Sequence, residues 1–334
     1  MDLKTRISSF VALGKLLPQL IQSSLPDEAF QANNWFTKSE LERALNSWSN
    51  ILTEVNLLRW IAPYPIPEIS SIRKILVITA GNLPLVGFHD FLSVLMLGYR
   101  FIGKLSSRDD ILLNVLANEL KLIHPDFKDL IDLTGKTQAS DAVIATGSNN
   151  SSRYFQMEYG KIPHIIRKNR TSAAVLDATE DENDLKNLVS DILYYFGLGC
   201  RSVSHLYFPY GYSLETLQLH LSAFKQVDPC LLYSDNLRFQ KARLSMLNTS
   251  FKDAGNTLLV ENESLHSPIG VVHFSYYDDS ELLFNNLNSK ENDIQCLVGN
   301  KHLNPALIPF GTAQKPDLWD YADNVDTLEF LMNI

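Results

Sequence analysis

Cys200 is the residue of this sequence whose neighbours most favour chemistry. It ends the stretch Gly197-Leu198-Gly199-Cys200, which follows a predicted helix and precedes a predicted strand over residues 203–208. The two glycines let backbone N–H groups approach a small reactive centre, and a thiolate beside such donors suits nucleophilic attack on a carbonyl. Most free cysteines are buried structural residues, so the local pattern leaves a nucleophile and a packing residue both open.

Two further glycine turns follow predicted strands. The apolar runs KILVITA and AVIA predict buried parallel strands, and they lead into turns that carry Gly81 with Asn82 and Gly147 with Ser148. Ligands of open α/β sheets bind beyond the carboxyl ends of the strands, where a glycine lets a phosphate sit on the next helix N-terminus. An ordinary strand–turn–helix junction has the same pattern, so these turns alone do not decide the function.

The elements that must position these residues alternate along the chain. The first 60 residues predict mostly helices, including one over 39–58, and the helix before Cys200 has apolar residues three and four apart between 185 and 196. Short apolar runs that alternate with such helices predict a parallel sheet with crossover helices. Because 334 residues exceed one ordinary core, two joined α/β domains are expected.

Composition excludes several classes of function. The net charge is −9, and phosphate binding needs a basic face, so nucleic acid is not expected as a partner. Cys200, Cys230 and Cys296 are widely spaced and form no Cys-x-x-Cys pair, which is typical of a reducing compartment. No segment has the length of a membrane span or the pattern of a secretory signal, so a cytoplasmic protein is expected. The isolated histidines predict no metal site.

Six segments, taken in their order and spacing, resemble the aldehyde dehydrogenase superfamily. They are similar above all to the acyl-CoA reductase branch related to the fatty-acyl reductase of bacterial luminescence, from about Lys74 to the C-terminus. The segments are GNLPLVGFHDF (81–91), KLSS (104–107), ATGSNN (145–150), HIIRKNR (164–170), FGLGCR (196–201) and FGTAQKP (310–316).

The resemblance implies an α/β fold of the aldehyde dehydrogenase type, with two Rossmann-like α/β domains and an N-terminal helical segment. On that plan, residues 1–172 form the helical segment and the cofactor-binding domain. Residues 173–306 form the catalytic domain that carries Cys200, and residues 307–334 pack back on the cofactor domain.

The resemblance also implies roles for individual residues. Cys200 matches the nucleophile that forms a thioester, and Asn82 matches the asparagine whose amide completes an oxyanion hole with the Cys200 backbone N–H. The positions that match cofactor-binding residues are Lys104 with Ser106 or Ser107 at the adenosine ribose or its phosphate, Gly147 and Ser148 at the pyrophosphate, and Phe310 near the nicotinamide.

One departure from the family pattern indicates the direction of the reaction. Ordinary aldehyde dehydrogenases carry a glutamate base at a place that corresponds here to about Arg167. Without that base, water is poorly activated to hydrolyse a thioester, whereas a thiol still exchanges with it. We therefore expect reduction of an acyl-CoA or acyl-carrier-protein thioester to the aldehyde. Lys104 favours NADPH, with NADH possible.

Two alternatives of other classes stay open beside this expectation. The first is an NAD-dependent aldehyde dehydrogenase that forms an acid, against which the absence of a carboxylate at Arg167 argues. The second is a non-catalytic binding protein that retains the fold, against which the presence of both Asn82 and Cys200 argues. The sequence leaves acyl chain length undecided, and a homo-oligomer is possible.

Overall fold

The structure is a computed structural model that describes residues 1–66, 72–135, 139–225 and 228–334. The chain forms two compact units. Unit 1 combines Met1–Asn169 with Asp317–Ile334, and unit 2 is Arg170–Pro316.

A five-stranded parallel sheet forms the centre of unit 1. Its order is β3-β2-β1-β4-β5, so the first strand lies in the middle and the chain leaves it in both directions. The strands read as apolar runs because helices cover both faces of such a sheet. The strands are β1 (Lys74–Ile78), β2 (Arg100–Lys104), β3 (Ile131–Asp132), β4 (Ala142–Thr146) and β5 (His164–Arg167).

In the described part of unit 1, eight helices precede or connect these strands. The first buries Phe10, Leu13 and Leu17 on one face, and it begins where Asp2 accepts a hydrogen bond from the Thr5 N–H at 2.7 Å. The helices are α1 (Leu3–Ile21), α2 (Leu25–Ala32), α3 (Lys38–Ile51), α4 (Glu54–Ile61), α5 (Phe88–Met96), α6 (Ile111–Ile123), α7 (Phe127–Leu130) and α8 (Asn149–Tyr159).

Unit 2 contains a six-stranded sheet in the order β11-β6-β7-β10-β9-β8, parallel except between β8 and β9. One apolar core lies under α9 and α10 and another under α12. The strands are β6 (Thr171–Val175), β7 (Val203–Pro209), β8 (Lys252–Asp253), β9 (Leu258–Glu261), β10 (Val271–Tyr277) and β11 (Ile294–Gly299). The helices are α9 (Glu182–Leu193), α10 (Glu215–Ala223), α11 (Leu231–Met246) and α12 (Ser280–Asn288).

The chain returns to unit 1 after Pro316 and ends in α13 (Thr327–Met332). A directional chain of hydrogen bonds fixes this return. The Trp60 Nε1–H donates to Tyr321 Oη at 2.8 Å, Tyr321 and Tyr64 share a bond of 2.9 Å, and Tyr64 donates to Asp326 Oδ2 at 2.5 Å. Because each hydroxyl both accepts and donates, the three bonds strengthen one another.

Most predicted elements match the structure, and two predicted helices differ from it. The predicted helix over 39–58 is divided into α3 and α4, because Thr53 caps a new helix by accepting from the Asn56 N–H at 3.2 Å. The helix before Cys200 ends at Leu193 rather than at the glycines. The predicted domain limits were 172/173 and 306/307, whereas the compact units divide after Asn169 and Pro316.

Unit 2 extends to Pro316, beyond the predicted limit at residue 306, for a physical reason. The Ile308 N–H donates to the Leu297 carbonyl of β11 at 2.9 Å, and Phe310 lies in the apolar core with α9. The segment 307–316 therefore packs within unit 2. Within the ranges that the structure describes, no helix is long and apolar enough to cross a membrane.

Candidate functional site

An unusual turn joins α9 to the residues around Cys200. Tyr195 and Phe196 have left-handed backbones, with φ of 53° and 56°, and Gly197 continues the turn at φ 72°. Left-handed residues other than glycine cost roughly 1 kcal/mol or more each, and such strain concentrates at functional sites. Phe196 is held by burial, since only 2% of it is exposed and its ring lies 5.4 Å from that of Tyr233.

Cys200 lies in the tight turn that follows, from Gly199 to Ser202. The Ser202 N–H donates to the Gly199 carbonyl at 3.1 Å, and the Gly199 N–H donates back to Ser202 Oγ at 3.2 Å. The Gln314 side-chain amide donates to the same oxygen at 3.0 Å. Cys200 is half-buried and Ser202 is 2% exposed, so the backbone of this turn is fixed while the cysteine stays partly accessible.

A second contact fixes the other side of Cys200. The hydroxyl of Ser172, on β6, donates to the Cys200 carbonyl at 3.0 Å, and it also lies 3.1 Å from the Cys296 sulfur. Because the Ser172 proton points to the carbonyl, the Cys296 thiol is the donor in that pair. Burial raises the pKa of the Cys296 thiol to about 11, which keeps it protonated for this role. Cys230 precedes α11 and is 2% exposed.

The carboxylate of Asp191 anchors the segment that carries Gln314. Asp191 is fully buried on α9 and accepts from the Gly311 N–H at 2.6 Å and the Ala313 N–H at 3.1 Å. Burial raises the pKa of Asp191 to about 6. Phe310, which directly precedes Gly311, is 5% exposed and packs in the unit 2 core with residues of α9. The ring therefore helps to hold this segment against α9.

His205 lies in β7 as a buried structural residue. Its Nδ1 bonds the Ser264 carbonyl and its Nε2 bonds the Ser275 hydroxyl, both at 3.0 Å. Since a carbonyl only accepts, Nδ1 carries the proton. Burial lowers the pKa of His205 to about 4, so the ring is neutral at physiological pH and does not act on Cys200 as a charged partner.

In unit 1, the residues predicted to bind a cofactor follow β2 and β4. The exposed Lys104 ends β2, Ser106 is half-buried and Ser107 is exposed. The Ser106 N–H donates to Thr79 Oγ1 at 3.2 Å, which joins the carboxyl ends of β1 and β2. A side chain at Gly81 would meet Ser106 Oγ at 2.4 Å, so glycine is needed for this close approach.

Gly147 and Ser148 lie at the carboxyl end of β4, the strand on the other side of β1. Ser148 caps α8 by accepting from the Ser151 N–H at 3.2 Å. A Cβ on Gly147 would come within 2.8 Å of Ser151 Cβ. The sheet order reverses between β1 and β4, and dinucleotides bind at such a reversal. The chain thus brings Lys104, Ser106, Ser107, Gly147 and Ser148 to one edge of the unit 1 sheet.

Asn82 is exposed on the loop between β1 and α5. Two buried side chains shape this loop. The Asn33 amide donates to the Gly81 carbonyl at 3.2 Å, and Asp109 accepts from the Leu85 N–H at 2.8 Å, where Leu85 has a left-handed φ of 59°. Burial raises the pKa of Asp109 to about 8. The loop that carries Asn82 is therefore held at both ends.

Arg167 forms a buried ion pair at the end of β5. Its guanidinium donates to both carboxylate oxygens of Asp90, at 2.5 and 2.9 Å, and to the Thr327 hydroxyl at 3.2 Å. Arg167 is 6% exposed and Asp90 4%. Arg167 is therefore a structural residue that connects β5 with α5 and α13.

Sequence reasoning missed the residues that hold Cys200 in place. Only Asp191 left a signal, since a charged residue three positions after Leu188 falls on the apolar face of its helix. Ser172, Ser202 and Gln314 are ordinary polar residues in the sequence and meet only in the folded unit. Among the residues that the structure describes, no group of three or more His, Cys, Asp or Glu side chains is arranged to hold a metal ion.

Comparisons with known proteins identify the fold. No protein-family model and no curated protein matches the sequence. Aldehyde dehydrogenase 21 from Physcomitrella patens, solved with the reaction product succinate, gives a TM-score of 0.68 at 11% identity, over 100% of this chain and 84% of that chain. An indole-3-acetaldehyde dehydrogenase mutant from P. syringae, solved with NAD+ and IAA, gives 0.67 at 12% identity, over 91% and 73%.

A third similar structure is the NAD+ complex of an aldehyde dehydrogenase from Bacillus cereus, with a TM-score of 0.62 at 13% identity, over 86% of this chain and 70% of that chain. At identities this low, the TM-scores show that the fold is shared and nothing beyond the fold. The predicted fold class, mixed α/β of the aldehyde dehydrogenase type with parallel sheets, is confirmed.

Proposed function

We propose that this protein is an oxidoreductase that reduces an acyl thioester, such as an acyl-CoA, to the aldehyde through an acyl-Cys200 intermediate. The observation that carries the proposal is the turn around Cys200. It presents a half-buried cysteine on a backbone fixed by Ser202 and Ser172, at the end of a strained left-handed turn. A cysteine that is only half-buried, on a fixed backbone, suits covalent catalysis at a carbonyl.

The residues of unit 1 fit a nicotinamide dinucleotide. Ser151 crowds the side of Gly147 where a Cβ would stand, so glycine allows the close turn from β4 into α8. The N-terminus of α8 follows directly, and a pyrophosphate can approach the helix dipole there. Lys104 is exposed at the end of β2 and supplies a cation for an adenosine phosphate, which favours NADPH over NADH. When bound, the cofactor would supply the hydride.

The chain's own residues account for the acyl transfer. The Cys200 thiolate attacks the thioester carbonyl, its sulfur bonds the acyl carbon, and the bond from that carbon to the sulfur of CoA breaks to release the thiol. We propose that the Asn82 amide and the Cys200 N–H donate to the oxyanion, a role worth on the order of 10²–10³ in rate for one donor. Reduction of the acyl group then frees Cys200 as the aldehyde departs.

The ion pair of Arg167 supports reduction over acid formation. Acid formation needs a carboxylate to activate water. The carboxylate beside Arg167 is Asp90, whose two oxygens both accept from the guanidinium, so it is engaged as a structural partner. Transfer of the acyl group from CoA to Cys200, with release of the CoA thiol, does not need a base that activates water. Formation of an acid by an NAD-dependent dehydrogenase remains the second candidate function, since it would use the same thioester and the same fold.

The test combines acyl-CoA and acyl-carrier-protein substrates of several chain lengths with NADPH or NADH, and follows oxidation of the cofactor. We expect aldehyde and free thiol, no turnover for Cys200→Ala, and retained turnover for the matched variant Cys230→Ala. Mass spectrometry after incubation with acyl-CoA alone should show one acyl group on Cys200. Rapid release of free fatty acid, or full activity of Cys200→Ala, would refute the proposal.

A further inference from the structure

The segment that follows β11 contacts the Cys200 turn at Gln314. The Gln314 amide donates to Ser202 Oγ at 3.0 Å, and that oxygen also accepts from the Gly199 N–H at 3.2 Å. The two bonds converge on one buried atom, directly beside the backbone of Cys200. Ser202 is thereby a junction between the turn and residues 309–314.

The segment is itself rigidly attached. Asp191 accepts from the Gly311 and Ala313 N–H groups, and a Cβ at Gly311, whose φ is 83°, would come within 2.9 Å of Asn187. Phe310 and Ala313 are both buried in the core with α9. Because the backbone on both sides of Ala313 is held, the Gln314 side chain has little freedom. Its hydrogen bond to Ser202 therefore restrains the Cys200 turn.

We propose that Gln314 is a positioning residue for Cys200, acting through the hydroxyl of Ser202. Its effect on turnover rests on the proposed function, but its effect on the mobility of the cysteine does not. A nucleophile that strays by about 1 Å from the reactive geometry loses rate without losing substrate affinity. Loss of one neutral hydrogen bond that acts in this way should lower kcat by about two- to tenfold.

The variants are Gln314→Met, which keeps the length and removes the donor, and Ser202→Ala, which removes the acceptor. Ser202→Thr keeps the hydroxyl, at a position that lines a cavity of about 30 Å³. The matched control is Gln218→Met, since the half-buried Gln218 also donates its amide to a carbonyl of unit 2, that of Asp253 at 2.7 Å.

Two readouts are measured on each variant of the full chain. The first is kcat and KM for acyl-CoA reduction. The second is the ¹⁹F linewidth of a trifluoromethyl label on Cys200, with labelling checked by peptide mass spectrometry and against Cys200→Ala. For Gln314→Met and Ser202→Ala we expect kcat lowered about two- to tenfold, KM unchanged and a narrower line. Ser202→Thr and Gln218→Met should resemble the unmodified protein.

The outcomes separate the two proposals. Unchanged linewidth in Gln314→Met and Ser202→Ala overturns the positioning role, whatever the activity. Narrowing in a protein that reduces no acyl thioester supports positioning and refutes the proposed function. If Gln314→Met does not fold, the comparison of Ser202→Ala with Ser202→Thr decides in its place, because equal linewidths there would also overturn the role.

Discussion

His205 should make unit 2 sensitive to acid. Its ring is fully buried and both nitrogens are hydrogen-bonded, and burial lowers its pKa from 6.5 to about 4. The unfolded chain therefore binds a proton on this ring at a pH where the folded chain does not. Stability from His205 is complete above pH 6.5 and is lost as the pH falls toward about 4.

The magnitude follows from the size of the pKa difference. Each unit of pKa corresponds to about 1.4 kcal/mol, so the whole window corresponds to about 3 kcal/mol. Buried carboxyls act in the opposite sense. Burial raises the pKa of Asp109, Glu180 and Asp191, so these groups favour the folded state as the pH falls. The prediction is therefore a difference between variants rather than an absolute slope.

The variant is His205→Gln, which keeps a polar side chain that does not titrate. Between pH 6.5 and 4.5, its free energy of unfolding should fall less steeply than that of the unmodified protein, by about 1 kcal/mol per pH unit on average. His266→Gln is the matched control, because His266 is exposed and its ring meets water in both states.

The assay must report on unit 2. All four tryptophans lie in unit 1, at positions 35, 48, 60 and 319, so their fluorescence serves as the internal reference. Urea unfolding is followed by circular dichroism, and hydrogen exchange of β7 and β10 amides locates the change. Equal slopes for His205→Gln and the unmodified protein would show that the ring titrates normally in the fold, which would refute the burial argument.

Two further predictions concern unit 1, and urea unfolding followed by tryptophan fluorescence measures both. Asp90→Ala should lower the free energy of unfolding by about 3–5 kcal/mol, because it leaves the buried Arg167 without its carboxylate; a loss below about 1 kcal/mol would contradict a desolvated pair. Tyr64→Phe should lower the free energy of unfolding by about 1–3 kcal/mol, because Asp326 loses its hydrogen-bond donor. The control Tyr154→Phe, at a residue 57% exposed, should change it little. Equal decreases for the two variants would contradict the role of the hydrogen-bond network.

The sequence determined the elements and the candidate nucleophile. Periodicity within a helix or strand is a local property, so β1, β4 and the strand after Cys200 could be predicted from the sequence pattern alone. The glycines beside Cys200 and at position 147 also carry their meaning locally, because only glycine permits the close approach of backbone. The predicted helix end was wrong by a few residues, since burial of Phe196 sustains a left-handed turn that no propensity favours.

The tertiary structure decided which polar residues act together. Ser172, Ser202 and Gln314 lie far apart in the sequence and meet around Cys200 because parallel strand pairing places β6 beside both β7 and β11. Likewise, Arg167 belongs to a basic stretch in the sequence, and only the folded chain brings it into contact with Asp90. A hydrogen bond requires partners within about 3 Å, and sequence spacing does not encode that distance across strands. The sequence therefore identified Cys200 as the candidate nucleophile, and only the fold identified the residues that hold it.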